Sequence, residues 1–190
     1  MIIINLEQGT DAWRDLRQSK IGASDCATIL GLNPYSTPLK LWGEKVGLTP
    51  GPELNKFMQR GTELEPLARE KFNAQMGMAY IPIVGLSDDY EWMMASFDGL
   101  AEDNESLVEI KCNGVKWHNY VLDTGKVPDH HYPQIQHQLY VSGVQLGYYY
   151  SFDGTDGITI EVPRDNEFID MLIKKELEFW NCVCTFTPPE

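Results

Sequence analysis

The segment SFDGLAEDNESLVEIKC, residues 96 to 112, combines the chain's turn and strand signals with its most informative charged residues. Side chains alternate between the two faces of a strand, so Glu109 and Lys111 point to one side while Ile110 points to the core. Asp98 precedes the glycine of a turn signal, and we expect it at the end of the neighbouring strand, beside Glu109. Two carboxylates and an ammonium group would then share one cleft.

The strands around this stretch predict an antiparallel meander. Short β-rich runs, AYIPIVG (79–85), EWMMAS (91–96) and SLVEIKC (106–112), are separated by DD, DG and DN turn signals. Two further strands, QLGYYYSF (145–152) and GITIEV (157–162), are joined through Gly154 to Gly157. The tetrapeptide SFDG recurs at 151–154, but no lysine follows at the matching distance. This second copy is most simply a turn.

Helices are predicted before, between and after these strands along the chain. In the N-terminal third, Thr10 is a plausible N-cap, Ser24 can cap a second short helix that Gly31 ends, and Ser36 with Pro38 opens a third that Gly47 ends. Further helices are predicted from Asn55 to Met76 with a break or restart near Gly61 and Pro66, from His131 to Val141, and from Asp165 to about Cys184.

Length and linkers favour one α+β domain. A chain of 190 residues suits a single core, and no low-complexity segment divides it. We predict a single domain over 1–190, in which 1–50 is a helical N-terminal part, 51–164 the catalytic core and 165–190 a C-terminal helix and tail.

Composition limits the location and the chemistry. The apolar run in MIIINLEQGT is too short for a signal peptide or a membrane span, which predicts a cytoplasmic protein without a membrane partner. The cysteines form no CxxC pair, as expected of a reducing compartment. None of the histidines has a cysteine or carboxylate partner at zinc-site spacing, so buried or surface roles are predicted for His118, His130, His131 and His137.

The charge balance argues against a protein that grips nucleic acid over its whole surface. The chain has 15 basic and 28 acidic residues, a formal net charge of −13. A nuclease can still be acidic, because its metal cluster needs carboxylates and its basic contacts can be concentrated in one groove. Charge alone therefore does not exclude DNA.

The chemistry of the central stretch points to phosphodiester hydrolysis. Mg²⁺ prefers hard oxygen ligands and keeps several waters, so two or three carboxylates suffice to hold it. Asp98 and Glu109 would supply them, and Lys111 would orient or deprotonate the attacking water and offset charge in the transition state. An isolated ExK motif is usually a solvent-facing pair, whereas a preceding DG at this spacing makes the catalytic interpretation more specific.

Five ordered blocks resemble the phage lambda exonuclease and YqaJ-type viral recombinase family, within the PD-(D/E)xK nuclease superfamily. The blocks extend over most of the chain and are WRDLRQSKIGASD (13–25), GTELEP (61–66), SFDG (96–99), EIK (109–111) and YPQIQHQ (132–138). The resemblance implies a restriction-endonuclease-like core, a central mixed β-sheet flanked by helices. One departure is phenylalanine instead of proline in SFDG, which leaves the metal-binding acid in place.

The resemblance also implies roles for single residues. Glu65, Asp98 and Glu109, with the Ile110 carbonyl, would hold two Mg²⁺ ions, which Mn²⁺ could replace, while Lys111 assists the water. Glu63 is the competing choice for the helical carboxylate. The remaining implied positions are Gln134, which flanks the active site, Arg17 and Ser24, which match positions that bind a terminal 5′ phosphate, and Ser96, which would contact the scissile phosphate.

The family further implies a trimeric ring that threads duplex DNA, degrades one strand from its 5′ end to leave 3′ overhangs, and works with a single-strand annealing protein in recombination. A ring would let a set of basic residues line a shared channel: Arg14, Arg17, Lys20, Lys111, Lys116 and Lys126. Two alternatives stay open, an endonuclease or repair nuclease with the same core and a DNA-binding module without catalysis.

Overall fold

The computed structural model describes residues 1–51, 55–112 and 114–190. Within them the strands are β1 (Ile2–Ile4), β2 (Ile21–Gly22), β3 (Tyr80–Leu86), β4 (Met93–Ala101), β5 (Ser106–Lys111), β6 (Leu146–Phe152) and β7 (Gly157–Pro163). The helices are α1 (Asp11–Gln18), α2 (Cys26–Ile29), α3 (Pro38–Lys45), α4 (Lys56–Met76), α5 (Val115–Thr124), α6 (Tyr132–Ser142) and α7 (Asn166–Cys184), with a 3-10 turn at Ala23–Asp25 before α2.

All seven strands form one mixed sheet in the order β1-β3-β4-β5-β6-β7, with β2 paired parallel to β4. The β3–β4 and β4–β5 pairs are antiparallel, as the meander predicts. Strand β6 instead pairs parallel to β5, because α5 and α6 carry the chain back across the sheet between them. The predicted α+β class with a central mixed sheet is confirmed.

Helices cover both faces of the sheet and bury two apolar clusters. On one face Leu107 and Tyr149 pack with Ile135 and Leu139 of α6. On the other face the core includes Phe72 of α4, and with it Val108, Ile110, Tyr150 and Phe152. Alternate residues of β5 therefore enter different cores, and the prediction that Ile110 points to the core is confirmed.

Several helix ends lie where the sequence predicts them. Thr10 caps α1 through a hydrogen bond that its side chain accepts from the Trp13 amide, and Asp165 caps α7 in the same way. Gly31 and Gly47 adopt the left-handed conformation, with φ of +70° and +75°, where their short helices end. The predicted bounds of the α6 and α7 helices agree with the structure to within a residue.

Three predictions about helices are wrong. Helix α4 is continuous from Lys56 to Met76 through Pro66, and its buried residues, Ala68 and Phe72, both lie in the half that follows the proline. The cap of α3 is Thr37 instead of Ser36. Ser24 caps no helix, since it lies inside the 3-10 turn and its hydroxyl accepts from a guanidinium group.

No helix in the part of the chain that the structure describes is long and apolar enough to cross a bilayer.

Candidate active site

Glu109 is a buried carboxylate held by three donors. It lies in β5 and is only 2% exposed. Its Oε1 accepts hydrogen bonds from Lys111 Nζ at 2.7 Å and Gln134 Nε2 at 2.6 Å, and its Oε2 accepts from Gln138 Nε2 at 2.6 Å. Lys111 Nζ also donates to Gln134 Oε1 at 3.1 Å. Glu109 and Lys111 thus point to the α6 face together, as strand alternation predicts.

Asp98 lies inside β4, not at a turn, which corrects the prediction from the Asp98-Gly99 pair. The β4–β5 ladder pairs Gly99 with Val108 and stops there. Beyond that point Asp98 Oδ2 accepts a hydrogen bond from the Ile110 amide at 2.8 Å, so the side chain replaces the missing ladder bond. A Cβ on Gly99 would come within 2.6 Å of Tyr80 Cβ, which explains the glycine by close packing.

The helical carboxylate that reaches this site is Glu65. Glu65 lines the cavity with Asp98 and forms an ion pair with Arg69, whose Nε donates to the Asp98 carbonyl at 2.6 Å. Glu63 is exposed and accepts from Gln59 at 2.9 Å one turn earlier on α4. The geometry therefore favours Glu65 over Glu63.

The carboxylates of Glu65, Asp98 and Glu109, here called the carboxylate cluster, concentrate negative charge away from solvent. Burial raises the pKa of Asp98 well above its ordinary value, and the carboxylates of Glu109 and Glu65 raise it further. Burial likewise raises the pKa of Glu65, against the opposing effect of Arg69. For Lys111 burial alone would lower the pKa, but Glu109 and Asp98 outweigh it and raise the pKa above its ordinary value.

These residues fit a hard divalent cation. Three carboxylates converge on one cavity, and their mutual repulsion is what a bound Mg²⁺ would relieve. The Ile110 amide is bonded to Asp98, which brings the Ile110 backbone to the same carboxylate. The predicted ligand set of Glu65, Asp98, Glu109 and Ile110 is thus gathered in space.

A basic pocket opens into the same cavity. Arg17 Nη2 donates to Ser24 Oγ at 2.8 Å and to Asp25 Oδ1 at 3.2 Å. Lys45 Nζ lies 2.7 Å from the other oxygen of Asp25. Burial alone would raise the pKa of Asp25, but Lys45 and Arg17 outweigh it and lower it to about 2. The structure therefore brings Arg17 and Ser24 together, as the sequence predicts. The Asp25–Lys45 ion pair that supports Arg17 was not predicted from the sequence.

Ser96 lies between the carboxylate cluster and the basic pocket around Arg17. Its hydroxyl accepts a hydrogen bond from Trp13 Nε1 at 2.8 Å, and its carbonyl accepts from Gln138 Nε2 at 3.0 Å. Ser96 also lines the cavity, so its location allows the predicted phosphate contact. The bond to Trp13 gives it a packing role as well.

One cavity of about 1230 Å³ contains all the predicted site residues: Arg17, Ser24, Glu65, Ser96, Asp98, Glu109, Ile110, Lys111 and Gln134. Of the basic residues expected in a shared channel, Arg17, Lys111 and Lys116 line it. Arg14 lies on the exposed side of α1, where it pairs with Asp11 at 2.6 Å.

Sequence reasoning missed Gln138, Asp25 and Lys45. A signal for Gln138 was present, since it follows Gln134 by four residues and so lies on the same face of α6. Nothing local indicates Lys45, whose partner Asp25 is distant in sequence and is reached only through the packing of α3.

The fold and this site define the class: an α+β protein with the fold of an alkaline exonuclease. The crystal structure of an alkaline exonuclease from Laribacter hongkongensis matches with a TM-score of 0.81 and 27% identity, covering 93% of each chain. A phage-related exonuclease from Haemophilus somnus matches with a TM-score of 0.59 over 87% of this chain and 95% of that one. At 15% identity, the second shows the fold alone.

The chain belongs to the YqaJ-like viral recombinase domain family, whose model matches residues 12–145. The Bacillus subtilis protein YqaJ is 30% identical over 183 residues, which cover 93% of this chain. The chain spans 57% of the length of that protein. The family resemblance predicted from the five sequence blocks is confirmed, and together these likenesses support a nuclease.

Proposed function

We propose that this chain is a Mg²⁺-dependent exonuclease that degrades one strand of linear duplex DNA from its 5′ end and leaves 3′ overhangs for recombination. The observation that carries the proposal is the single cavity that joins the Asp98, Glu109 and Lys111 cluster to the Arg17 and Ser24 pocket. The first group suits phosphodiester hydrolysis, and the second suits a terminal phosphate.

The chain's own residues divide the work in the carboxylate cluster. Mg²⁺ held by Glu65, Asp98 and Glu109 with the Ile110 carbonyl would supply Lewis acidity toward the scissile phosphate. Lys111, whose pKa the neighbouring carboxylates raise, stays protonated and acts as a donor that orients water and offsets charge. The raised pKa of Lys111 favours orientation of the water over the alternative that Lys111 deprotonates it.

The α6 glutamines keep the cluster in position. Gln134 bridges Glu109 and Lys111, because its amide nitrogen donates to one and its amide oxygen accepts from the other. Gln138 donates to the second oxygen of Glu109. Both oxygens of Glu109 are therefore oriented before a metal or substrate arrives.

The end-binding step is assigned to the basic pocket. The Arg17 side chain is 35% exposed, and hydrogen bonds to Ser24 and Asp25 fix the direction of its guanidinium group. A guanidinium group with a hydroxyl beside it recognises the extra charge and oxygen of a terminal phosphate. A 5′-hydroxyl end lacks both, so the pocket would prefer phosphorylated ends.

Exposed aromatic rings at the cavity support a substrate with unstacked bases. Tyr35 and Phe57 are 72% and 79% exposed, and Trp117 donates through Nε1 to the Tyr35 hydroxyl at 3.3 Å. All three line the cavity. Rings of this kind stack on bases of any sequence. A frayed strand end fits this surface better than an intact duplex.

The test is digestion of a linear duplex with Mg²⁺, comparing 5′-phosphate with 5′-hydroxyl ends. Wild type should remove one strand stepwise from the 5′ end, faster from phosphorylated ends, and leave closed circular DNA intact. Lys111→Ala should lower the rate by about 10²–10³-fold, because it removes charge stabilisation in the transition state. Mn²⁺ should substitute for Mg²⁺.

The end preference has a matched control. Arg17→Ala should abolish the difference between phosphorylated and hydroxyl ends, whereas Arg14→Ala, on the exposed side of the same helix, should keep it. Cutting of closed circles would show an endonuclease, and inactivity of wild type with every divalent ion tried would contradict the enzyme proposal altogether.

A further inference from the structure

A second cluster of ligating side chains lies in the core, and no part of the proposed reaction uses it. Cys26 opens α2, His137 lies in α6 and Glu176 lies in α7. Their exposed fractions are 0%, 1% and 0%. Cys26 Sγ lies 2.9 Å from Glu176 Oε1 and 3.2 Å from His137 Nδ1, and Nδ1 lies 2.8 Å from the same Oε1. Three different ligand types from three helices thus converge.

The orientation of the histidine ring is set from outside the cluster. His137 Nε2 lies 2.9 Å from the Met94 carbonyl of β4, and a carbonyl only accepts, so Nε2 donates the proton. In the metal-free protein Nδ1 forms an ion pair with Glu176, and displacement of its proton by a metal would direct the Nδ1 lone pair at Cys26 and Glu176. A ring nitrogen fixed by a backbone carbonyl behind it is the usual arrangement of a metal-binding histidine.

The carboxylate of Glu176 is left incompletely satisfied. Its Oε2 is fully buried and has no hydrogen-bond partner among the described residues. A buried acceptor of this kind needs an explanation, and an ion is one of the standard ones. Of the three side chains, Glu176 thus offers an oxygen that no described donor uses.

We propose that Cys26 Sγ, His137 Nδ1 and a Glu176 carboxylate oxygen bind one structural zinc ion. Thiolate, imidazole and carboxylate are the three ligand types zinc takes in proteins, and a thiolate disfavours Mg²⁺. Ligands of a tetrahedral zinc lie about 3.3–3.7 Å apart, so the three atoms need to separate by roughly half an ångström. Bidentate binding by Glu176 would bring its second oxygen, which has no described partner, into the coordination.

The position of this site gives it a structural role. Cys26 follows Asp25, which anchors the Arg17 pocket, and His137 precedes Gln138, which holds Glu109. The zinc would therefore join α2, α6 and α7 directly behind both halves of the cavity. Loss of the metal should lower the melting temperature of the protein.

The experiment uses the full chain without an affinity tag, produced in zinc-containing medium. Brief treatment with EDTA followed by gel filtration should remove loosely held ions from the open cavity and leave about one zinc per chain by mass spectrometry. Protein produced with Co²⁺ in place of zinc should show a near-ultraviolet thiolate-to-cobalt charge-transfer band.

The cysteine variants assign that band. Cys26→Ala should lose both the zinc and the band, while serine at each of the other three cysteines, Cys112, Cys182 and Cys184, should keep both. If Cys26→Ala does not fold, wild type with the three serine variants still decides, because Cys26 is then the one remaining source of the thiolate. Wild type without zinc and without the band, or loss of the band in any of the serine variants, would overturn the proposal.

Discussion

Asp98 is the residue in which function and stability conflict most directly. In the metal-free protein its carboxyl group is buried beside Glu109 and Glu65, and its pKa is raised. A raised carboxyl pKa means that the folded state binds a proton more tightly than the unfolded state. The free energy of unfolding therefore falls as the pH rises above the ordinary value of 3.8 toward the folded-state pKa.

This conflict predicts opposite effects of Asp98→Asn on activity and stability. The amide is uncharged and its oxygen can still accept from the Ile110 amide, so the melting temperature in EDTA at neutral pH should rise, by about 2–4 °C for each kcal/mol gained. Nuclease activity should be lost. Calorimetry with and without Mg²⁺ checks this, since Mg²⁺ should stabilise wild type but not the variant. A variant melting below wild type in EDTA would contradict the argument.

Gln138 is predicted to be a positioning residue for Glu109. Gln138→Ala removes the donor to Glu109 Oε2 and should lower activity by about 10–100-fold while raising the Mg²⁺ concentration needed for half-maximal rate. Gln136→Ala is the matched control, because Gln136 is equally buried on α6 but bonds to Pro163 and Asp165 instead. An equal Mg²⁺ requirement in the two variants would reduce Gln138 to a packing role.

At the scale of elements, the buried ion pair between α3 and the 3-10 turn is predicted to be essential for stability. Lys45→Met leaves Asp25 without its closest cation in a site where both side chains are about 95% buried. Removing one member of such a pair costs about 3–5 kcal/mol. Lys175→Met, which breaks an exposed pair with Glu178, should cost no more than about 1 kcal/mol.

The same pair predicts a pH dependence. Because the pKa of Asp25 is lowered to about 2, its contribution to stability is complete above the ordinary value of 3.8 and is lost as the pH falls through about 2. Urea unfolding of wild type across this interval should show the loss, and Lys45→Met should show a smaller one. Parallel curves for the two proteins would exclude Asp25 as the cause.

Individual strands and helices also show which structural features a local sequence pattern can predict. Alternation in β5 predicted the shared side of Glu109 and Lys111, because face alternation needs no tertiary information. The Asp98-Gly99 pair predicted a turn and is instead mid-strand, since Gly99 is required by its packing on Tyr80 and Val108. The parallel β5–β6 pairing and the Asp25–Lys45 contact depend on packing between distant segments, which no local pattern records.

At the scale of the whole molecule, the net charge of −13 has to be reconciled with binding of a polyanion. Five basic residues line the cavity against five acidic ones, so its lining is formally neutral and the excess of acidic groups lies elsewhere on the chain. We propose, from the family resemblance, that three chains form a ring that brings three such cavities around one duplex. The ring would concentrate the basic groups without changing the net charge of each chain.

The ring predicts a linked change in assembly and mode of digestion. Sedimentation velocity at the concentration used for digestion should give a species of three times the 21.6 kDa chain mass. A closed ring around DNA cannot leave between steps, so an excess of unlabelled duplex added after the reaction starts should not slow digestion of the labelled strand. A monomer under these conditions would contradict the proposal of a ring. A trimer that the competitor stops would keep the assembly but show that it does not enclose the DNA.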